Sequence, residues 1–417
     1  MTRNHFVSFR VFREQPSQRF DIMTPPLRPE KEPLLLIART GAGLASSDQL
    51  RARLREKIDW AYLLQTAQSH GLRPLLYWTL NAVCPDVVPE AILSQLRDHF
   101  YVNTYRTVFL TAELGKLLDR FEREKIPALP FKGPVLATAL YDPPSLREFG
   151  DLDILVHRRD VLRVSELLAS QGYRPVVPLS RAQETALLDT FFERVFIRDD
   201  QGVLVDLHWA LTPKYFSFSL DLECLQERLK LVSLGDRQVP ALAPEDLLLV
   251  LCFHGAKHGW ERLGWLCDVA RVISAHPQMD WEWIIERAST LGGQRMLWLG
   301  LSLAQNLLGA VLPGEVYQRI ETDPVVGSLA AQVRQRVLGD RDRSPGAVES
   351  YLFYLRAMDK LKDCFRYCVD LIVTPTPVEW AWLPLPAWLF FLYYPVRAVR
   401  LVGKYGREAA RRIRQAW

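Results

Sequence analysis

The 417-residue sequence lacks a strong charge of either sign: 52 basic residues against 48 acidic ones leave a formal net charge of +4. That is too little over this length for a dedicated nucleic-acid binder, whose footprint is a strongly basic domain. It also lacks paired cysteines. The six thiols stand at 84, 224, 252, 267, 364 and 368 without CxxC spacing, which speaks against a zinc site or a secreted disulfide framework and leads us to expect reduced thiols in a cytoplasm. No continuous apolar run followed by a small-residue cleavage site occurs in MTRNHFVSFRVFREQPSQRF, so no export is expected. The longest uncharged stretch, Trp380 to Val396, contains Pro384, Pro386 and Pro395 and falls short of the roughly 20 apolar residues that span a bilayer. No internal repeat is present.

What is there is apolar patterning. With 49% hydrophobic residues, a chain of this size is expected to form two or more packed units. Residues 1–33 carry five prolines and no sustained helical period, which reads as an extended or disordered leader. Apolar residues recur at helical intervals through 34–125, an N-terminal helical region. The period changes over 126–243. IPALPF (126–131) reads as a strand, KG as a turn and PVLATALY as a helix; DLDILV (151–156) is a second strand, followed by a helix over 159–171 that ends at Gly172. FERVFIRD (192–199) and GVLVDLHW (202–209) flank Asp200-Gln201 as a hairpin. Helical periodicity returns over 244–375, and 376–417 is a Pro/aromatic segment ending in a basic helix. The fold class is α+β: a small mixed sheet with flanking helices, inserted between an N-terminal helical region and a C-terminal helical domain.

Three acids draw the eye. Asp151 and Asp153 stand two apart on one strand, so both carboxylates project to the same face while Leu152 and Ile154 enter the core. Asp206 lies within the apolar strand VLVDLHW, where a charge is costly unless paired or metal-bound. Oxygen ligands converging from two strands suit Mg²⁺, with Mn²⁺ as the alternative ion; two such ions clamp the attacking and leaving oxygens in phosphoryl transfer. Asp206 is also the candidate general base.

The segments FKGPVLATALYDPPSLREFGDLDILV, VDLHWAL and HGAKHGWERLGWLCDVARVI resemble the uncharacterised bacterial nucleotidyltransferase family labelled type 5, within the polymerase-beta superfold, over roughly residues 35–405. The resemblance implies a glycine turn that cradles the triphosphate at Lys132-Gly133, a metal-binding pair at Asp151 and Asp153, and a third acid at Asp206. It further implies transfer of a nucleotidyl group from a nucleoside triphosphate to an acceptor, with release of pyrophosphate. Where the superfold commonly has Gly-Ser, this chain has Lys132-Gly133-Pro134. Lys132 then stands in for the serine as a point charge beside a helix N-terminus.

Further nucleotide-binding candidates are Arg147, four residues before Asp151, and His208, which shares the face of Asp206. His254 and Lys257 lie with His258 on one helix face, and Asp268 is a candidate partner for that cluster. A zinc site at the two histidines fails for want of a third ligand and of the HExxH glutamate. The acceptor, whether a small molecule, a peptide or protein, or an RNA, is not encoded in any residue. Two other readings remain: a non-catalytic nucleotide-binding regulatory module, and a membrane-peripheral scaffold. In the scaffold the aromatics of 380–394 and the basic end, Arg397 to Arg414 with only Glu408 opposing, contact the inner face of a membrane.

Overall fold

The computed structural model describes residues 28–41, 47–214, 220–339, 346–383 and 385–403. The chain opens with the helices α1 (Lys31–Gly41), α2 (Ser47–Leu54), α3 (Trp60–His70), α4 (Arg73–Val83) and the 34-residue α5 (Glu90–Arg123). α1 begins inside the segment expected to be extended: Pro33 falls in its first turn, where the missing N–H would have had no helical acceptor. The rest of that leader, 1–27, lies outside the described residues.

The central unit alternates as expected. It runs β1 (Ala128–Pro130), α6 (Gly133–Leu140), β2 (Asp151–Val156), α7 (Val161–Ser170), β3 (Arg174–Pro175), α8 (Arg181–Thr190), β4 (Glu193–Arg198) and β5 (Val203–His208). The spatial order is β1-β2-β5-β4-β3, with β2 and β5 parallel and the other neighbours antiparallel. Pro130, which has no N–H to donate, sits on an edge strand, where proline is tolerated. Strand alternation separates two faces. Leu152 and Ile154 of β2 and Val203, Val205 and Leu207 of β5 pack against Leu114 and Leu117 of α5 and Val164 and Leu168 of α7. The opposite face carries Asp151, Asp153, Asp206 and His208.

A short helix α9 (Leu222–Leu225) then leads to a hairpin, β6 (Lys230–Leu234) and β7 (Arg237–Ala241), which turns through Gly235 at φ +66°. The second half is helical: α10 (Pro244–Lys257), α11 (Leu263–Ala275), α12 (Trp281–Leu291), α13 (Gln294–Leu303), α14 (Gly314–Glu321), α15 (Pro324–Leu338), α16 (Ala347–Ala357), α17 (Leu361–Val373) and α18 (Pro377–Trp382). The N-terminal and C-terminal helices share one core, in which Leu34, Leu63 and Leu76 join Leu248, Leu266 and Leu297. α5 enters both cores, Leu96 and Phe100 serving the helical one and Leu110 to Phe121 the sheet.

Within the Pro/aromatic segment, Trp380 is buried, with ring centroids 6.5 Å from Phe191 and 6.4 Å from Tyr393. Residues 393–403 are helical, and 404–417 lie outside the described residues. Arg397 and Arg400 both pair with the buried Glu379, so they belong to the packing of the segment. Among the described residues no helix is long and apolar enough to cross a membrane.

Candidate active site

The register of the parallel pair sets the site. Asp153 of β2 is the direct neighbour of Asp206 of β5, and Glu193 of β4 stands opposite His208 of β5. These side chains form the floor of a cleft of about 520 Å³, whose far wall is built by α10 and α11. A volume of this order is typical of small-molecule sites. Lys132, Gly133, Arg147, Asp151, Asp153, Asp206, His208, His254 and Lys257 all line it, whereas Asp268 does not.

Gly133 explains why the turn approaches the strand so closely. Its φ is +54°, and a Cβ built there would lie 2.9 Å from the backbone oxygen of Asp151. Only glycine meets both demands. The turn therefore holds Lys132 against β2, with its Nζ 3.1 Å from Oδ1 of Asp153. From the other side the Nε2 of His208 comes to 3.3 Å of the same oxygen, and its Nδ1 to 3.6 Å of Glu193, which Lys257 of α10 meets at 3.4 Å. A chain of polar contacts, Lys132–Asp153–His208–Glu193–Lys257, thus runs from the glycine turn across the floor to the helical wall.

Electrostatics divides the carboxylates. Burial opposes ionisation of Asp153, but Lys132 and His208 beside it outweigh that and hold the group well below the usual carboxylate range. Asp151 is raised, by burial and then by the charge of Asp153. Asp206 is pushed up to about 7, first by burial and then by Asp153 and Asp151. Burial and nearby cations, Lys132 foremost, press His254 well below its ordinary value. The floor is short of positive charge, which is the condition a divalent cation relieves.

The donor set is mixed: its carboxylates suit a hard cation and its imidazole a borderline one. Ligand atoms of Asp153, Asp206 and His208 lie within 4.8 Å of one another, two oxygens and an imidazole nitrogen. Asp151, expected as a ligand with Asp153, lines the cleft two residues along but is not in that trio. His208, read as a nucleotide-binding or orienting residue, is the third member of that trio.

One expectation changes. Asp268 does not pair with the His254–Lys257–His258 cluster: it binds the Arg147 guanidinium through Nε (3.0 Å) and Nη2 (3.0 Å) and accepts from the Tyr141 hydroxyl at 2.7 Å. Its helix α11 presents it toward α6 and the loop before β2, away from the α10 histidines. Those instead group around Trp265, with ring centroids 5.1 and 5.5 Å from His254 and His258. Arg147 is thereby anchored through two nitrogens, leaving Nη1 buried without an acceptor among the described residues. The sequence reading missed Glu193 and Tyr141. Glu193 was accessible in principle, since a hairpin closed at Asp200-Gln201 pairs it with His208; nothing local marks Tyr141, whose partner is 127 residues away.

No curated protein matches the chain. Among solved structures it is similar to the lincomycin-bound crystal structure of a lincosamide antibiotic adenylyltransferase, LnuA, with 20% identity over 33% of this chain and 83% of that one, at a TM-score of 0.25. The family model described as "uncharacterised nucleotidyltransferase" matches residues 56–309. Because that span exceeds half of the chain and holds every cleft residue named above, the protein belongs to the uncharacterised nucleotidyltransferase family.

Proposed function

We propose that the cleft transfers a nucleotidyl group from a nucleoside triphosphate to a hydroxyl or phosphate acceptor and releases pyrophosphate. The observation that carries this reading is the in-register pair Asp153 and Asp206, facing the single lysine of a glycine turn at a helix N-terminus. Asp153, Asp206 and His208, with Asp151 alongside, would hold Mg²⁺, or Mn²⁺ in its place. When bound, the ion neutralises the phosphate oxygens and acidifies the acceptor hydroxyl.

The chain's own groups do the rest. Lys132 and Nη1 of Arg147 bind phosphate oxygens, while the backbone N–H groups of the first turn of α6, other than that missing at Pro134, donate to the remaining ones. Lys257 and His254 close the cleft from the helical wall. Asp206 takes the proton of the acceptor hydroxyl as its oxygen forms a bond to the α-phosphorus; the α–β phosphoanhydride bond breaks, and pyrophosphate leaves with the bonding electron pair. The six free cysteines support a reducing, cytoplasmic setting.

The experiment is incubation of the purified protein and Mg²⁺ with each triphosphate labelled at the α- or γ-phosphorus, together with cell extract. Label retained on an acceptor from the α position and lost from the γ position is expected, and it identifies the acceptor. Transfer of γ-label would make the protein a kinase. Labelling that survives Asp206→Asn would remove the assigned base and ligand.

A further inference from the structure

α17 is amphipathic in the reverse of the usual sense. Asp363 and Tyr367 turn into the protein, whereas Leu361 (88% exposed), Phe365 (70%), Val369 (41%) and Ile372 (55%) face outward. Their spacing of four, four and three residues places them on one stripe. A surface helix normally buries such a stripe, and contiguous exposed apolar patches mark contact surfaces.

The surroundings say what covers it. Lys362 and Arg366 are exposed along one edge of the stripe, and α17 offers no exposed acid, since Asp363 is buried and Asp370 partly so. The guanidinium of Arg397 donates to the backbone oxygen of Leu371 at 2.6 Å, fastening the 393–403 helix to the end of α17. From that helix the chain continues into 404–417, with Lys404, Arg407, Arg411, Arg412 and Arg414 against Glu408 alone. Between the two, Trp382 and Trp388 are exposed at 64% and 75%. Apolar stripe, tryptophans and surplus cations together suit the boundary between headgroups and acyl chains. A second copy presenting the same face would meet Lys362 and Arg366 with the same cations and no exposed acid of α17 to oppose them.

We propose that the outward face of α17, with Trp382 and Trp388, seats the protein in the plane of an anionic lipid surface, and that the basic C-terminal end adds electrostatic attraction. This is a binding surface separate from the nucleotide cleft. It narrows the membrane contact to α17, because Arg397 and Arg400 are committed to Glu379.

The full-length protein is floated with phosphatidylcholine vesicles made with and without phosphatidylglycerol, beside the double variant Leu361→Gln/Phe365→Gln. Wild type is expected to float with the anionic vesicles and not with phosphatidylcholine alone, and to be released as salt is raised. The double variant should lose at least about tenfold in apparent affinity, since two apolar side chains no longer enter the lipid. Quenching of wild-type tryptophan fluorescence by brominated anionic lipid supplies a reading that does not depend on how the variant folds. The proposal is overturned if wild type stays in solution, floats equally with neutral vesicles or shows no quenching. It is also overturned if a folded double variant floats as wild type does, or if wild type is a dimer that the double variant converts to monomer, which would give the stripe to a second copy.

Discussion

Asp206 stands beside Asp153 in the parallel pair, yet the two carboxyl groups differ sharply in acidity: Asp153 is held well below the usual range, whereas Asp206 is pushed up to about 7. The difference follows from who is nearest. Lys132 and His208 both spend their attraction on Asp153, and Asp206 meets its charge across the strands. On the proposed reading, a cation bound between them would relieve the charge that raises Asp206, while Lys132 and His208 keep Asp153 anionic without it.

Asp153→Asn is therefore expected to lower transfer at least about a thousandfold, because it removes the anchoring anion of the site. The melting temperature should fall as well, since the variant keeps the shape of the side chain but leaves Lys132 without the anion it meets at 3.1 Å. Asp206→Asn should abolish transfer as completely while leaving triphosphate titratable by calorimetry, with Asp153 still in place. Equal loss of nucleotide binding in both variants would contradict this division.

Lys132→Met tests the glycine turn. The charge gains most from the most highly charged phosphate chain, so triphosphate affinity should fall about tenfold or more, with a smaller loss for monophosphate. Titration of both nucleotides in Mg²⁺ decides it. The same loss for each, or none, would return Lys132 to a purely structural partner of Asp153.

Gly133→Ala should be costly for a residue that carries no chemistry. The new methyl group would meet the Asp151 oxygen at 2.9 Å in a backbone region that disfavours side chains, a penalty of about 1–3 kcal/mol. Strain released by moving the turn would carry Lys132 off Asp153, so nucleotide affinity should fall together with the melting temperature. Gly150→Ala is the control: nothing lies within 4 Å of its added Cβ, and both quantities should stay near wild type.

Acid should loosen the C-terminal segment through Glu379. Burial opposes its charge, but hydrogen bonds from Thr376 and the cations of Arg400 and Arg397 hold it at about 2. In an unfolded chain it would titrate near 4.3. A depressed folded value contributes stability above the unfolded one, and that contribution, on the order of 3 kcal/mol, is lost as pH falls from about 5 toward 2. Fluorescence of the buried Trp380 region, followed by acid titration, should show this step in wild type and not in Glu379→Gln. That variant should already be less stable at neutral pH, with Arg397 left buried and unpaired.

Much of the catalytic unit was legible because its signals are local. DLDILV begins and ends where β2 does, since alternation and burial coincide there. The hairpin at Asp200-Gln201 and the helix after Lys132-Gly133 follow from equally short patterns. The β6–β7 hairpin did not show itself: Lys230, Asp236 and Arg237 interrupt its apolar residues, and β6 is largely exposed. Long-range pairing was the other blind spot. Periodicity tells which face of α11 is buried but not that Asp268 will meet Arg147, nor that helices at opposite ends of the chain close on one core.

α5 has a mechanical consequence. At 34 residues it extends about 51 Å, and it is bolted at one end into the helical core and at the other beneath the sheet. The two walls of the cleft are thus mounted on one unbroken beam. Moving them apart as rigid bodies would require bending or breaking that helix, so the arrangement favours access at the rim, by way of the Arg147–Gly150 loop, over a hinged opening of the walls.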